Sequence, residues 1–189
     1  DGKRIIYNSS RNSVTQIFVV SIDSKRQAQI SLSDTDSRVS DISADGTKIL
    51  YTTTKDDADL WSISTEGGRE SQVTSAIGVE FWPDISPDGA SIAYQAERRL
   101  STGGRLLHCS LIADEIGPEG NMLQIAQDGF NIRWSPDGKT LAFLRSKSGN
   151  RSLWVISAEG LDERQVSEGG VMFGGYLQLP YNRVQSQDY

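Results

Sequence analysis

The sequence predicts an all-β fold, a β-propeller of four-stranded antiparallel blades, and three marks that recur four times in the same order predict it. The first is an Asp-Gly pair at Asp1-Gly2, Asp45-Gly46, Asp88-Gly89 and Asp137-Gly138, with the glycines 44, 43 and 49 residues apart. An apolar triplet begins three residues after each glycine: Ile5-Ile6-Tyr7, Ile49-Leu50-Tyr51, Ile92-Ala93-Tyr94 and Leu141-Ala142-Phe143. The third mark is Gln followed by a β-branched and a small residue, at Gln29-Ile30-Ser31, Gln72-Val73-Thr74, Gln124-Ile125-Ala126 and Gln165-Val166-Ser167. A repeat of about 43 residues is thus set out four times, over 1–36, 37–76, 77–127 and 128–169.

Each element follows from local chemistry. In Ser-Pro-Asp-Gly, proline presets φ for a type I turn, aspartate bonds backbone groups just ahead, and glycine takes the left-handed position that closes a bulged hairpin. Strands must flank that turn. Ahead of it lie SRVSDIS, VEFWPDIS and GFNIRWS, and behind it the apolar triplets, with no sustained helical period. A third strand runs through QIFVV from Gln16, DLWSI from Asp59, RLLHC from Arg105 and SLWVI from Ser152, and a fourth ends at the Gln mark. The triplets are apolar at consecutive positions although strand side chains alternate between faces, so both faces must be covered. Blades stacked around an axis do this, whereas the outer face of a lone sandwich is polar.

Together these marks, SPDG before an apolar strand, a Leu-Trp stretch and a Gln-Val-Thr end, resemble the propeller repeats of TolB, the periplasmic component of the Tol-Pal system. Related repeats occur in the propellers of prolyl oligopeptidase and dipeptidyl peptidases. The repeats are also similar to those in the sensor halves of some bacterial winged-helix regulators and serine/threonine kinases. The first unit lacks its pre-turn strand, the second has Ala44 for the proline, and the third carries extra residues around Ser101–Gly104 and Asp114–Gly120. The resemblance implies six or more blades, making this chain an incomplete set from a larger propeller. A closed four-bladed ring is the alternative, with the tail 170–189 supplying the missing inner strand of the first unit instead of starting the next blade.

Composition limits the function. A chain of 189 residues with 37% apolar content can bury a sizeable core. No window approaches the roughly 18 consecutive apolar residues of a spanning helix, so no membrane insertion is expected. A formal charge of −6 opposes a nucleic-acid surface, which needs clustered Lys and Arg. Cys109 is the one cysteine and His108 the one histidine, which excludes an internal disulfide, a cysteine cluster and a multi-histidine metal site. Neither G-x-S-x-G, a phosphate loop nor H-E-x-x-H occurs. No catalytic residue, cofactor or metal is therefore assigned. His108 aligns with Val19, Ser62 and Val155, and Cys109 with Val20, Ile63 and Ile156, as ordinary strand positions. Phe18, Trp61 and Trp154 share one repeat position, with Leu107 as its fourth member.

The candidate channel or partner-binding residues are Asp41, Asp84 and Arg133, which share a repeat position on the innermost strands, together with Trp82 and, in the tail, Phe173, Tyr176 and Tyr181. Converging carboxylates can hold a cation or the basic end of a peptide, or else bond backbone groups of adjacent blades. Aromatic residues among glycines in the tail suit partner contact and equally an inter-blade connection. The expected role is a non-catalytic scaffold for protein or peptide, in a periplasmic or other extracytoplasmic setting or as the sensor part of a larger bacterial protein. A substrate-gating propeller of a serine peptidase is the alternative class.

Overall fold

A computed structural model describes residues 2–54, 58–75, 78–99, 105–115, 123–126, 128–147 and 150–167, with 105–115 traced as backbone. The described residues form antiparallel sheets and no helix. The first sheet has three strands, β1 (Arg4–Arg11), β2 (Val14–Ser21) and β3 (Gln27–Gln29). The second runs β4 (Ser37–Ile42), β5 (Lys48–Thr53), β6 (Leu60–Ser64) and β7 (Ser71–Gln72). The third contains β8 (Gly78–Ile85), β9 (Ser91–Arg99), β10 (Arg105–Glu115) and β11 (Leu123–Ala126). The fourth contains β12 (Phe130–Trp134), β13 (Thr140–Lys147), β14 (Asn150–Ser157) and β15 (Arg164–Gln165). Each sheet is a meander in chain order, and the sheets are the blades of a propeller.

The Asp-Gly turns of the second, third and fourth blades are closed by serine as much as by glycine. Ser43, Ser86 and Ser135 donate their hydroxyls to Asp45, Asp88 and Asp137 at 2.6, 2.5 and 2.6 Å. The same oxygens accept the N–H of Lys48, Ser91 and Thr140, while each aspartate accepts the N–H two residues ahead. These bonds hold the Asp45 carboxyl down at about 2, the Ser43 hydroxyl contributing most. Gly138 sits at φ +69°, and a Cβ there would meet Pro87 at an ordinary 3.7 Å. The cost of a side chain is therefore conformational. Gly138→Val is expected to destabilise the fold by more than about 1 kcal/mol, read as the urea midpoint, because a β-branched residue strains the left-handed region.

The Gln marks close the blades. Ile30, Val73 and Val166 donate their N–H to the carbonyls of Ile17, Leu60 and Leu153. The hydroxyls of Ser31, Thr74 and Ser167 then accept the N–H of those same three residues at 2.9, 2.9 and 3.0 Å. The small residue of the mark is thus an acceptor that ends the ladder between the third and fourth strands. Ala126 has no hydroxyl to offer in the third blade.

The core lies between blades. Ile17 and Ile30 of the first pack with Ile49, Tyr51 and Ile63 of the second. Leu50 and Leu60 of the second pack with Ile85, Ile92, Tyr94 and Ala96 of the third. Ala93, Ile125 and Ala126 of the third meet Ile132, Leu141, Phe143 and Ile156 of the fourth. Thus Ile49 and Tyr51 face one neighbour while Leu50, between them, faces the other. This alternation is why the triplets are apolar at every position.

The third blade departs from the register expected of the sequence. Tyr7, Tyr51 and Phe143 lie opposite Phe18, Trp61 and Trp154, as the repeat requires. Tyr94, however, lies opposite Ile112, and Ala93 opposite Ala113. Ser110–Asp114, not RLLHC, therefore forms the equivalent stretch. Ile112 takes the place expected of Leu107, and Cys109 pairs with Glu97 farther along a lengthened hairpin. The extra residues extend β9 and β10 beyond the blade's usual length, and two adjacent apolar runs competed for one repeat position. The side chains of Leu107, His108 and Cys109, and residues 101–104 and 116–120, lie outside the described residues.

Candidate functional site

The first strands of the second, third and fourth blades, β4, β8 and β12, lie side by side, and each carries a one-residue bulge. Pairing jumps between Val39 and Asp41, between Phe81 and Asp84, and between Phe130 and Arg133. A bulge turns the residues after it away from the regular alternation. Trp82 and Asn131, at matching positions, take left-handed backbone with φ 46° and 57°. Such strain in a bulky residue is uncommon and needs support from its surroundings.

After the bulge, Asp41, Asp84 and Arg133 occupy equivalent places opposite Leu50, Ala93 and Ala142. Asp41 Oδ1 accepts the N–H of Ile42, and its Oδ2 accepts that of Ile85 in the next blade, both at 2.8 Å. Asp84 repeats the move, its Oδ2 accepting the N–H of Trp134 at 2.6 Å. Ile85 and Trp134 are themselves one repeat apart. These carboxylates are therefore clasps between the inner strands of adjacent blades. Burial pushes the Asp84 carboxyl up to about 6; the Trp134 N–H and the Arg133 guanidinium oppose the rise and the Asp41 charge adds to it. Arg133 donates to the carbonyl of Ile132 at 3.1 Å and stands 3.9 Å from Asp84 Oδ1. Among the described residues no group of three or more His, Cys, Asp or Glu is placed to hold a metal ion.

A cavity of about 630 Å³ opens along these inner strands. Its wall includes Arg38 and Ser40 from β4, Thr52 from β5, Glu80 and Trp82 from β8, and Arg133 from β12. Trp82 is 41% exposed, whereas Glu80 is fully buried and accepts the Thr74 hydroxyl at 3.3 Å. Of the residues expected from sequence, Trp82 and Arg133 line this cavity and Asp41 and Asp84 stand behind it as clasps. Phe173, Tyr176 and Tyr181 lie outside the described residues. Arg38 and Glu80 escaped the sequence reading because a single charge within a strand carries no periodic signal.

No family profile matches the chain. Among curated proteins it is 29% identical over 140 residues to dipeptidyl-peptidase 5 of Porphyromonas gingivalis, covering 67% of this chain and 20% of that protein. It is 27% identical over 128 residues to the TolB homolog of Chlorobaculum tepidum, covering 66% of this chain and 28% of that protein. The chain therefore spans less than a third of the length of either relative. A putative TolB from Agrobacterium tumefaciens superposes with a TM-score of 0.69 at 17% identity, over 87% of this chain and 61% of that one. The repeat, the blade topology and these likenesses agree: the chain is a run of β-propeller blades, similar to those of TolB.

Proposed function

We propose that this chain is a non-catalytic propeller scaffold that binds protein or peptide, with the inner-strand cavity as its recognition surface. The observation that carries the reading is that cavity of about 630 Å³, with both apolar and charged side chains in its wall and edged by an exposed, strained tryptophan. A volume in this range accommodates several side chains of a peptide. An extracytoplasmic setting belongs to the same proposal and is supported by the likeness to the TolB homolog. A photocrosslinking residue, benzoylphenylalanine, placed at Ser40 in the cavity is expected to capture a protein, while one at the exposed Leu161 captures none. Equal capture at both positions, or none at Ser40, sinks the reading.

The likeness to dipeptidyl-peptidase 5 favours a second reading, in which these blades gate access to a peptidase active site outside this segment. A G-x-S-x-G elbow elsewhere in the parent reading frame, with Asp and His after it, would establish that role.

A further inference from the structure

We propose that the wall of this cavity bearing Arg38 and Arg133 is a carboxylate site, where an acidic segment of a bound peptide docks, and that Asp84 regulates it by competing for Arg133. The proposal rests on the reading of the cavity as a peptide site and names the chemistry of its ligand.

The repeat itself sets Arg133 apart. In the second and third blades the equivalent position is an aspartate spent on the next blade's N–H. A guanidinium has donors and no acceptor, so Arg133 cannot make that clasp. It places a cation on the inner-strand wall instead, with its side chain 21% exposed. Among the described residues, one hydrogen bond leads from it to Ile132, and Asp84 Oδ1 at 3.9 Å is beyond hydrogen-bond reach. The planar fork has further N–H groups that suit a carboxylate.

Arg38 reinforces it from β4. Its side chain is 63% exposed and lies 3.9 Å from Asp36, a loose surface pair. The carboxylate within the wall is Glu80, fully buried and bonded by Thr74. Glu80 is buried, and Asp41 and Asp84 stand behind the wall with oxygens spent on backbone N–H groups, so the charges that line the cavity are the two guanidiniums, in a chain of net charge −6. Such a contrast draws an acidic segment to this place in preference to the rest of the surface. A nucleic acid, with a phosphate at every step, would be repelled by that overall charge.

Asp84 is faced by Asp41 from β4, and by Arg133 and the Trp134 N–H from β12. Burial brings its carboxyl to about 6, so it is ionised at neutral pH and protonated near pH 5. Once neutral, it no longer offsets the charge of Arg133. A ligand glutamate, with a pKa of about 4.3, is still ionised there. Binding is therefore expected to tighten as the pH falls from about 7.5 to about 5.

The test is fluorescence anisotropy with rhodamine-labelled tetraglutamate and tetraglutamine peptides on the full chain. Tetraglutamate is expected to bind several-fold tighter than tetraglutamine, and tighter at pH 5 than at pH 7.5. Arg133→Gln should weaken it about tenfold or more, the range for a charge-assisted hydrogen bond. Asp84→Asn, whose amide oxygen can still accept the Trp134 N–H, should bind equally well at both pH values. Equal affinity for the two peptides, no effect of Arg133→Gln, or tighter binding of oligothymidine than of tetraglutamate overturns the proposal. If Ser40 still crosslinks a protein while the peptides are not distinguished, the carboxylate site fails and the scaffold reading stands. Loss of the Ser40 adduct itself would instead sink the scaffold reading.

Discussion

Phe143→Ala is expected to destabilise the fold by about 3–5 kcal/mol, the range for truncating a fully enclosed aromatic. Phe143 has no exposed surface and belongs to the cluster joining the third and fourth blades, with Ala93, Ile132, Leu141 and Ile156. Its neighbours are strands of two meanders, and their backbones cannot close around the void without breaking ladder bonds. Urea unfolding followed by circular dichroism measures the change. Val166→Ala, at a position 51% exposed, is the control and should move the midpoint little. A loss below about 1 kcal/mol for Phe143→Ala would show that the two blades do not pack as described.

Replacing Asp84 should produce the second-largest effect, with a sign that depends on the substitution. Its carboxyl titrates near 6 in the fold against an ordinary 3.8, so the folded state holds the extra proton between those values. Stability from this group is then complete below about pH 4, falls as the pH rises towards 6, and is constant above. Asp84→Asn keeps an acceptor for Trp134 and removes the buried charge. It should stabilise the chain at pH 7 by about 3 kcal/mol and abolish the fall between pH 4 and 6. Asp84→Ala leaves the Trp134 N–H without its acceptor, a loss of about 1–3 kcal/mol set against the relief of the charge. The aspartates at 45, 88 and 137 are shifted the other way by their serine hydroxyls. Their contribution is present above the ordinary carboxylate range and is lost as the pH falls below it. Thermal midpoints of wild type and Asp84→Asn from pH 3 to 8 separate the two. A wild-type profile flat from pH 4 to 6 would mean that the carboxyl is not held in a dry seam.

Within the sequence, short-range chemistry was legible and long-range chemistry was not. The turns, the triplets and the Gln marks are each local, and they recur, so four copies confirm one another. Periodicity failed where the third blade lengthens its hairpin, because RLLHC and the SLIAD stretch after it are both apolar enough to serve as a third strand. Only pairing with β9 decided between them. The roles of serine in the turn and of the small residue after Gln were also hidden, since a hydroxyl's partner depends on where the backbone returns.

The candidate site divides along the same line. Sequence by itself determined a β-propeller repeat, the run of blades and the equivalence of Asp41, Asp84 and Arg133, because strand alternation and turn chemistry act over a few residues. Tertiary structure decided what that equivalence does: two carboxylates become clasps to the next blade, and the arginine, which cannot accept a hydrogen bond, faces a cavity beside Arg38 and Trp82. Asp41 and Ile85, like Asp84 and Trp134, lie dozens of residues apart, and only the stacking of blades brings them within bonding distance.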